Sequence, residues 1–84
     1  SSFIKFDDKE INVNGMFDKA NIRSSKSPFM IQGGDLNAAR MFTNSTGVEE
    51  VLFRNTRFLD FNGITENSEI KVLTFENCDL ACHH

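Results

Sequence analysis

The sequence predicts an all-β fold, a short solenoid of parallel strands in coils of about 22 residues, three to four in number, behind an irregular N-terminal cap. Three observations predict it. A phrase recurs at a fixed interval: FRNTRF at 53–58 returns as FENCDL at 75–80, 22 residues on. Within each copy, alternate residues are apolar, the mark of a strand with one buried face. Between the copies lie turn formers rather than a helical stripe.

Taken in order, FIKF (3–6) reads as a first strand and DDKE (7–10) as its turn. INVNG (11–15) matches FMIQG (29–33) at an 18-residue spacing, with Ile11, Val13 and Gly15 in register. The whole of 1–84 therefore reads as a single solenoid segment, in which 1–25 are N-terminal strands that could cap one end and 26–84 hold three repeats. Those repeats are PFMIQGGDL (28–36), EVLFRNTRF (50–58) and VLTFENCDL (72–80). Phe29 aligns with Val51 and Leu73, Ile31 with Phe53 and Phe75, and Leu36 with Phe58 and Leu80; Gly33, Asn55 and Asn77 form the column between. A weaker pair of columns, Ala39 with Phe61 and Phe42 with Ile64, predicts another short strand per repeat. DLNAARMF (35–42) is the one helix candidate, but Leu36 and Ala39 obey the repeat, so it reads as strand and turn. GGD, TNSTG, NG and TENS mark the other corners.

The polar columns support the same register. Asp35, Arg57 and Asp79 align, as do Glu49 with Lys71 and Arg54 with Glu76, and the signs alternate in every column. In-register parallel strands bring such neighbours to roughly 4.8 Å, where opposite charges help and like charges cost.

The pattern apolar–x–apolar–x–Asn–x–x–apolar in VLFRNTRF and LTFENCDL resembles the rungs of right-handed parallel β-helices of the pectin-lyase-like superfamily. The resemblance covers roughly 28–80 and implies an inward Asn ladder at a corner, made by Asn55 and Asn77, with Gly33 departing from it. A leucine-rich repeat competes: Val48, Val51, Phe53, Thr56 and Phe58, and then Ile70, Leu73, Phe75, Cys78 and Leu80, fit its template at the same period. Against it stand Thr56 and Gly34 where Asn or Cys is expected, few leucines and no convincing helix.

The β-helix resemblance implies a carbohydrate-binding or structural segment of an exported or surface protein, with a cytosolic location left open. Its outer face would show Gln32, Arg54 and Glu76 in one column and Asp35, Arg57 and Asp79 in the next. Arg54 and Arg57 could grip an acidic polysaccharide. A solvated ion-pair ladder accounts for the same residues, and alternating signs leave no cationic cleft. A fragment of a polysaccharide lyase or glycoside hydrolase is a second reading, since several families of that superfamily cleave polysaccharides. A leucine-rich-repeat-like interaction module is a third, with Met30, Gln32, Leu52, Arg54, Thr74 and Glu76 on its concave face. Three or four coils with short corners build no catalytic groove, so activity of the isolated 84 residues is not expected.

Composition narrows the partners. Nine Lys and Arg against 12 Asp and Glu give −3, which provides no basic field for nucleic acid. No apolar run reaches the roughly 18 residues of a membrane span. The chain opens SSF without Met or a leader pattern, which predicts a processed product or an excised piece, and His83–His84 read as a tag remnant. Cys78 and Cys82, if extended, lie roughly 13 Å apart, too far to bridge. With His83 and His84 they could be taken for a metal site, but a chain end does not converge four fixed ligands; neither metal nor cofactor is expected. Met16, Met30 and Met41 read as gap-fillers. No phosphate-binding loop or nucleophile elbow occurs, and without an internal His no Ser–His pair can form. Asn44-Ser45-Thr46 is a glycosylation sequon. Finally, a short solenoid leaves strand edges and apolar core open at its ends. With no cap evident for the C-terminal rung ending at Cys82, self-association or further coils are expected at the C-terminal end.

Overall fold

A computed structural model describes residues 3–23 and 27–81. Every regular element among them is a strand: β1 (Phe3–Lys5), β2 (Glu10–Asn12), β3 (Phe29–Gln32), β4 (Asp35–Asn37), β5 (Glu50–Arg54), β6 (Arg57–Asp60) and β7 (Val72–Glu76). Odd-numbered strands form one sheet in the order β1-β3-β5-β7 and even-numbered strands another, β2-β4-β6, all paired in parallel. Parallel neighbours need a crossover. Here each crossover contains a strand of the other sheet, so two sheets grow side by side.

The pairing follows the apolar columns. Phe29 lies against Val51 and Val51 against Leu73, while Ile31, Phe53 and Phe75 form the next file. Leu36 lies against Phe58. Each step advances 22 residues (51 − 29 and 73 − 51). The first steps are longer: Phe3 meets Met30, 27 on (30 − 3), and Ile11 meets Leu36, 25 on (36 − 11). The expected 18-residue match of INVNG to FMIQG therefore fails. Ile11 belongs to the second sheet, because the turn after β1 carries the chain across before β2 begins. The segment expected as a cap supplies β1 and β2, the first strand of each sheet.

After Leu36 the register slips. Asn37 pairs with Asp60 rather than Leu59, a bulge that takes the step from 22 to 23 (60 − 37). Beyond it the chain runs in turns stacked by backbone hydrogen bonds: Arg40 N–H donates to Asn62 C=O, Phe42 to Ile64 and Asn44 to Glu66. One layer down, Gly15 donates to Ala39, Phe17 to Met41 and Lys19 to Thr43. The extra strand expected at Ala39–Phe42 and Phe61–Ile64 is therefore not a strand. Positive φ angles at Arg40 (56°) and Gly63 (61°) break the extended geometry that a strand requires.

The core lies between the sheets and this row of turns. Ile31, Leu36, Met41, Phe42, Phe53 and Phe58 are wholly buried. Phenylalanine suits such a core because its ring has no polar group needing a partner in the interior. Rings from successive layers stack: Phe17 on Phe42 at 5.2 Å and Phe53 on Phe75 at 6.0 Å between centroids. The layering stops at β7. Val51 is 1% and Phe53 0% exposed, yet their successors Leu73 and Phe75 are only half-buried, with no strand beyond them among the described residues.

Candidate functional site

The residues that join one sheet to the other form a corner at 33–34, 55–56 and 77–78. Its first residue takes the left-handed conformation in all three layers: Gly33 at φ 85°, Asn55 at 53° and Asn77 at 52°. Glycine and asparagine tolerate that region best, which explains why this column holds no other residue type. Asn77 Nδ2 donates to Asn55 Oδ1 at 2.7 Å, so the amides form a two-step ladder. The β-helix resemblance implied an inward ladder. The ladder instead faces outward, and both side chains are exposed, because the left-handed turn swings the side chain away from the core. The inward position belongs to the next residue. Thr56 is buried, and its hydroxyl lies 3.1 Å from both Gly33 C=O and Arg54 C=O, which share its single proton. One layer up, Cys78 Sγ donates to Phe53 C=O at 3.3 Å.

The two predicted columns flank this corner. Gln32, Arg54 and Glu76 stand in register on the odd-strand sheet. Asp35 pairs with Arg57, and Arg57 with Asp79, along the even-strand sheet. Arg54 Nε reaches Glu76 Oε1 at 2.9 Å, and Arg57 Nε lies 3.6 Å from Asp79 Oδ2. Lys71 and Glu49 pair at 3.6 Å, as their column predicted. Both arginines are thus engaged by a carboxylate of the next layer.

A shallow groove of about 320 Å³ follows the corner. It brings together Asp35, Arg57 and Asp79 from the predicted set with Asp8, Asn55 and Asn77. Gln32 lines a neighbouring hollow with Lys5, Asp7 and Asn55. Arg54 and Glu76 line neither. Sequence reasoning placed Asn55 and Asn77 inside and so missed them as surface groups. Their signal was legible, since a residue that tolerates positive φ at a corner turns its side chain outward.

A second Asn ladder runs along the row of turns, where Asn67 Nδ2 donates to Asn44 Oδ1. Asn44 Nδ2 in turn donates to Asp18 Oδ1 at 3.1 Å, and the Thr43 hydroxyl donates to the same oxygen at 2.8 Å. These two bonds, Thr43 first, lower the Asp18 carboxyl below its ordinary 3.8. Both ends of the amide of Asn44, the sequon asparagine, are therefore hydrogen-bonded within the chain. Among the described residues no three His, Cys, Asp or Glu side chains converge on a metal position, and no helix is long and apolar enough to cross a membrane. Cys82, His83 and His84 lie outside the described residues.

No family model matches the chain, and neither the curated proteins nor the solved structures include a match to it.

Proposed function

We propose that the chain is a short β-helical solenoid segment, structural in character, that binds a polysaccharide along the corner between its two sheets and is not catalytic by itself. The alternation of strands between two parallel sheets supports the solenoid reading, with a third row of stacked turns completing each circuit. A leucine-rich-repeat-like module would show one strand per coil and a helical or irregular return. An exported or surface location belongs to the same reading.

One observation carries the binding proposal: the corner groove, in which side chains from successive layers repeat at strand spacing. Asn55 and Asn77 offer amide donors and acceptors, and Asp8, Asp35 and Asp79 accept hydrogen bonds from hydroxyl groups. The expected acidic polysaccharide suits this lining less well than a neutral one. Arg57 is its single cation and already faces Asp79, so a carboxylate ligand would meet net negative charge.

Titration with neutral and uronate oligosaccharides, followed by backbone NMR shifts, tests the proposal. Neutral oligosaccharides should perturb residues 33–35, 55–57 and 77–79, with binding at least fivefold weaker in Asp35→Asn or Asn77→Ala. Shifts scattered elsewhere, no binding, or binding indifferent to both substitutions would reject the corner.

A further inference from the structure

We infer that the chain associates head to tail with a second copy of itself, β1 of one molecule adding in parallel to the open edge of β7 of another; this rests on the stacked-coil reading above. The first support is the ladder itself. In a parallel sheet the N–H and C=O of one residue point to the same neighbour, and alternate residues point to alternate neighbours. Asn55 N–H donates to Glu76 C=O, and Val72 N–H donates to Glu49 C=O. Val72, Thr74 and Glu76 therefore face β5, and the backbone of Leu73 and Phe75 faces the open edge. At the opposite end Phe6 N–H donates to Gln32 C=O, so Ile4 and Phe6 face β3 while the backbone of Phe3 and Lys5 faces outward. The two open edges hold complementary halves of one ladder.

Apolar surface is the second support. At the β7 end, Phe61, Ile64, Leu73 and Phe75 line a groove of about 360 Å³. At the β1 end, Ile4, Ile11 and Phe17 are half-buried and Met16 is 50% exposed. Continuing the existing columns by one layer sets Ile4 of the second copy over Phe75 and Ile11 over Leu80, the same apolar-on-apolar files that build the core.

Charge does not drive the contact but sets its salt dependence. The column Lys5–Gln32–Arg54–Glu76 would close with Lys5 of the second copy against Glu76, an opposite pair. Glu10 would meet Asp79, and Asp18 would approach Glu66; both are like pairs, so added salt should strengthen the contact. A two-fold antiparallel pairing of β7 with β7 about Thr74 fits worse. It sets Val72 against Glu76 and leaves the β1 edge bare. Head-to-tail contact is heterologous and does not close on itself, so the product is an open series rather than a fixed dimer.

Sedimentation velocity of the 84-residue chain over a hundredfold concentration range provides the test. The wild type should show species that grow with concentration and salt. Leu73→Pro removes an N–H from the open edge and none from the β5 ladder, and should be monomeric with an unchanged far-ultraviolet spectrum. Glu10→Lys converts a like pair to an opposite one and should tighten association roughly two- to fivefold, while Lys5→Glu should weaken it by as much. A wild-type monomer throughout, or a dimer that stops growing, overturns the inference. So does growth that persists in folded Leu73→Pro. If Leu73→Pro does not fold, the charge variants decide, and indifference to both overturns it. Oligosaccharide titration at concentrations where the chain is monomeric reads the lateral corner alone, so either proposal can fail without the other.

Discussion

Asn55 shows how much of this molecule is decided at single backbone positions. Its side chain accepts one ladder hydrogen bond, and its φ of 53° lies where a β-carbon is costly for most residues. Asn55→Ala loses both advantages and should cost about 1–2 kcal/mol; Asn55→Gly keeps the conformation and should cost about half as much. Urea unfolding of the two variants checks the order, and equal losses would assign the whole effect to the amide. Asp18 has a different signature, in pH. Its carboxyl is held below the ordinary 3.8 by Thr43 and Asn44, so between the folded and unfolded values the unfolded chain binds more protons. The stabilisation is present above about pH 4 and fades as pH falls through the lowered value. Thermal melts from pH 2 to 6 should therefore show a shallower acid limb in Asp18→Asn than in the wild type.

At the scale of elements, the corners decide where each strand stops. Gly33 and Gly15 both sit at positive φ, 85° and 63°, but in different surroundings. A β-carbon on Gly33 would collide with the backbone oxygen of Phe6, whereas one on Gly15 would meet nothing within 4 Å. Gly15→Ala should cost only the conformational penalty, about 1 kcal/mol, and Gly33→Ala roughly 2–3 kcal/mol or more because backbone must move. Comparable midpoint shifts in denaturant would show that the first layer is not held against the second at this corner. The ion pairs act differently. Those between layers are exposed, from Arg54–Glu76 at 2.9 Å to Arg40–Glu66 at 3.7 Å, and pairs of this kind add little stability. Their alternating signs instead penalise slipped registers, in which like charges would stack.

For the whole molecule, the two sheets are joined across the core by ring contacts. Phe58 is fully buried and contacts Phe53 at 4.8 Å and Phe75 at 5.4 Å between centroids, tying β5, β6 and β7 together. Phe58→Ala should cost about 3–5 kcal/mol, against a total of roughly 4–12 kcal/mol for a chain of this size. Loss of the cooperative melt, read by circular dichroism, is the expected outcome; a shift of a few degrees would mean that the layers are held chiefly by their backbone ladders.

The sequence by itself determined the all-β character, the 22-residue step between Phe29, Val51 and Leu73, and the charge columns of Arg54 with Glu76 and Arg57 with Asp79. These were legible because parallel in-register pairing writes the same burial and charge constraint at the same place in each layer. Tertiary structure alone decided the rest. Whether Asn55 points in or out depends on the sign of one φ angle, which composition permits but does not impose. The slip at Asn37 and the placement of Ile11 against Leu36 arise from turns whose length the chain absorbs locally, leaving no periodic trace. The corner groove joins Asp8 to Asp79, 71 positions apart (79 − 8), and only the stacking of layers brings such residues to one surface.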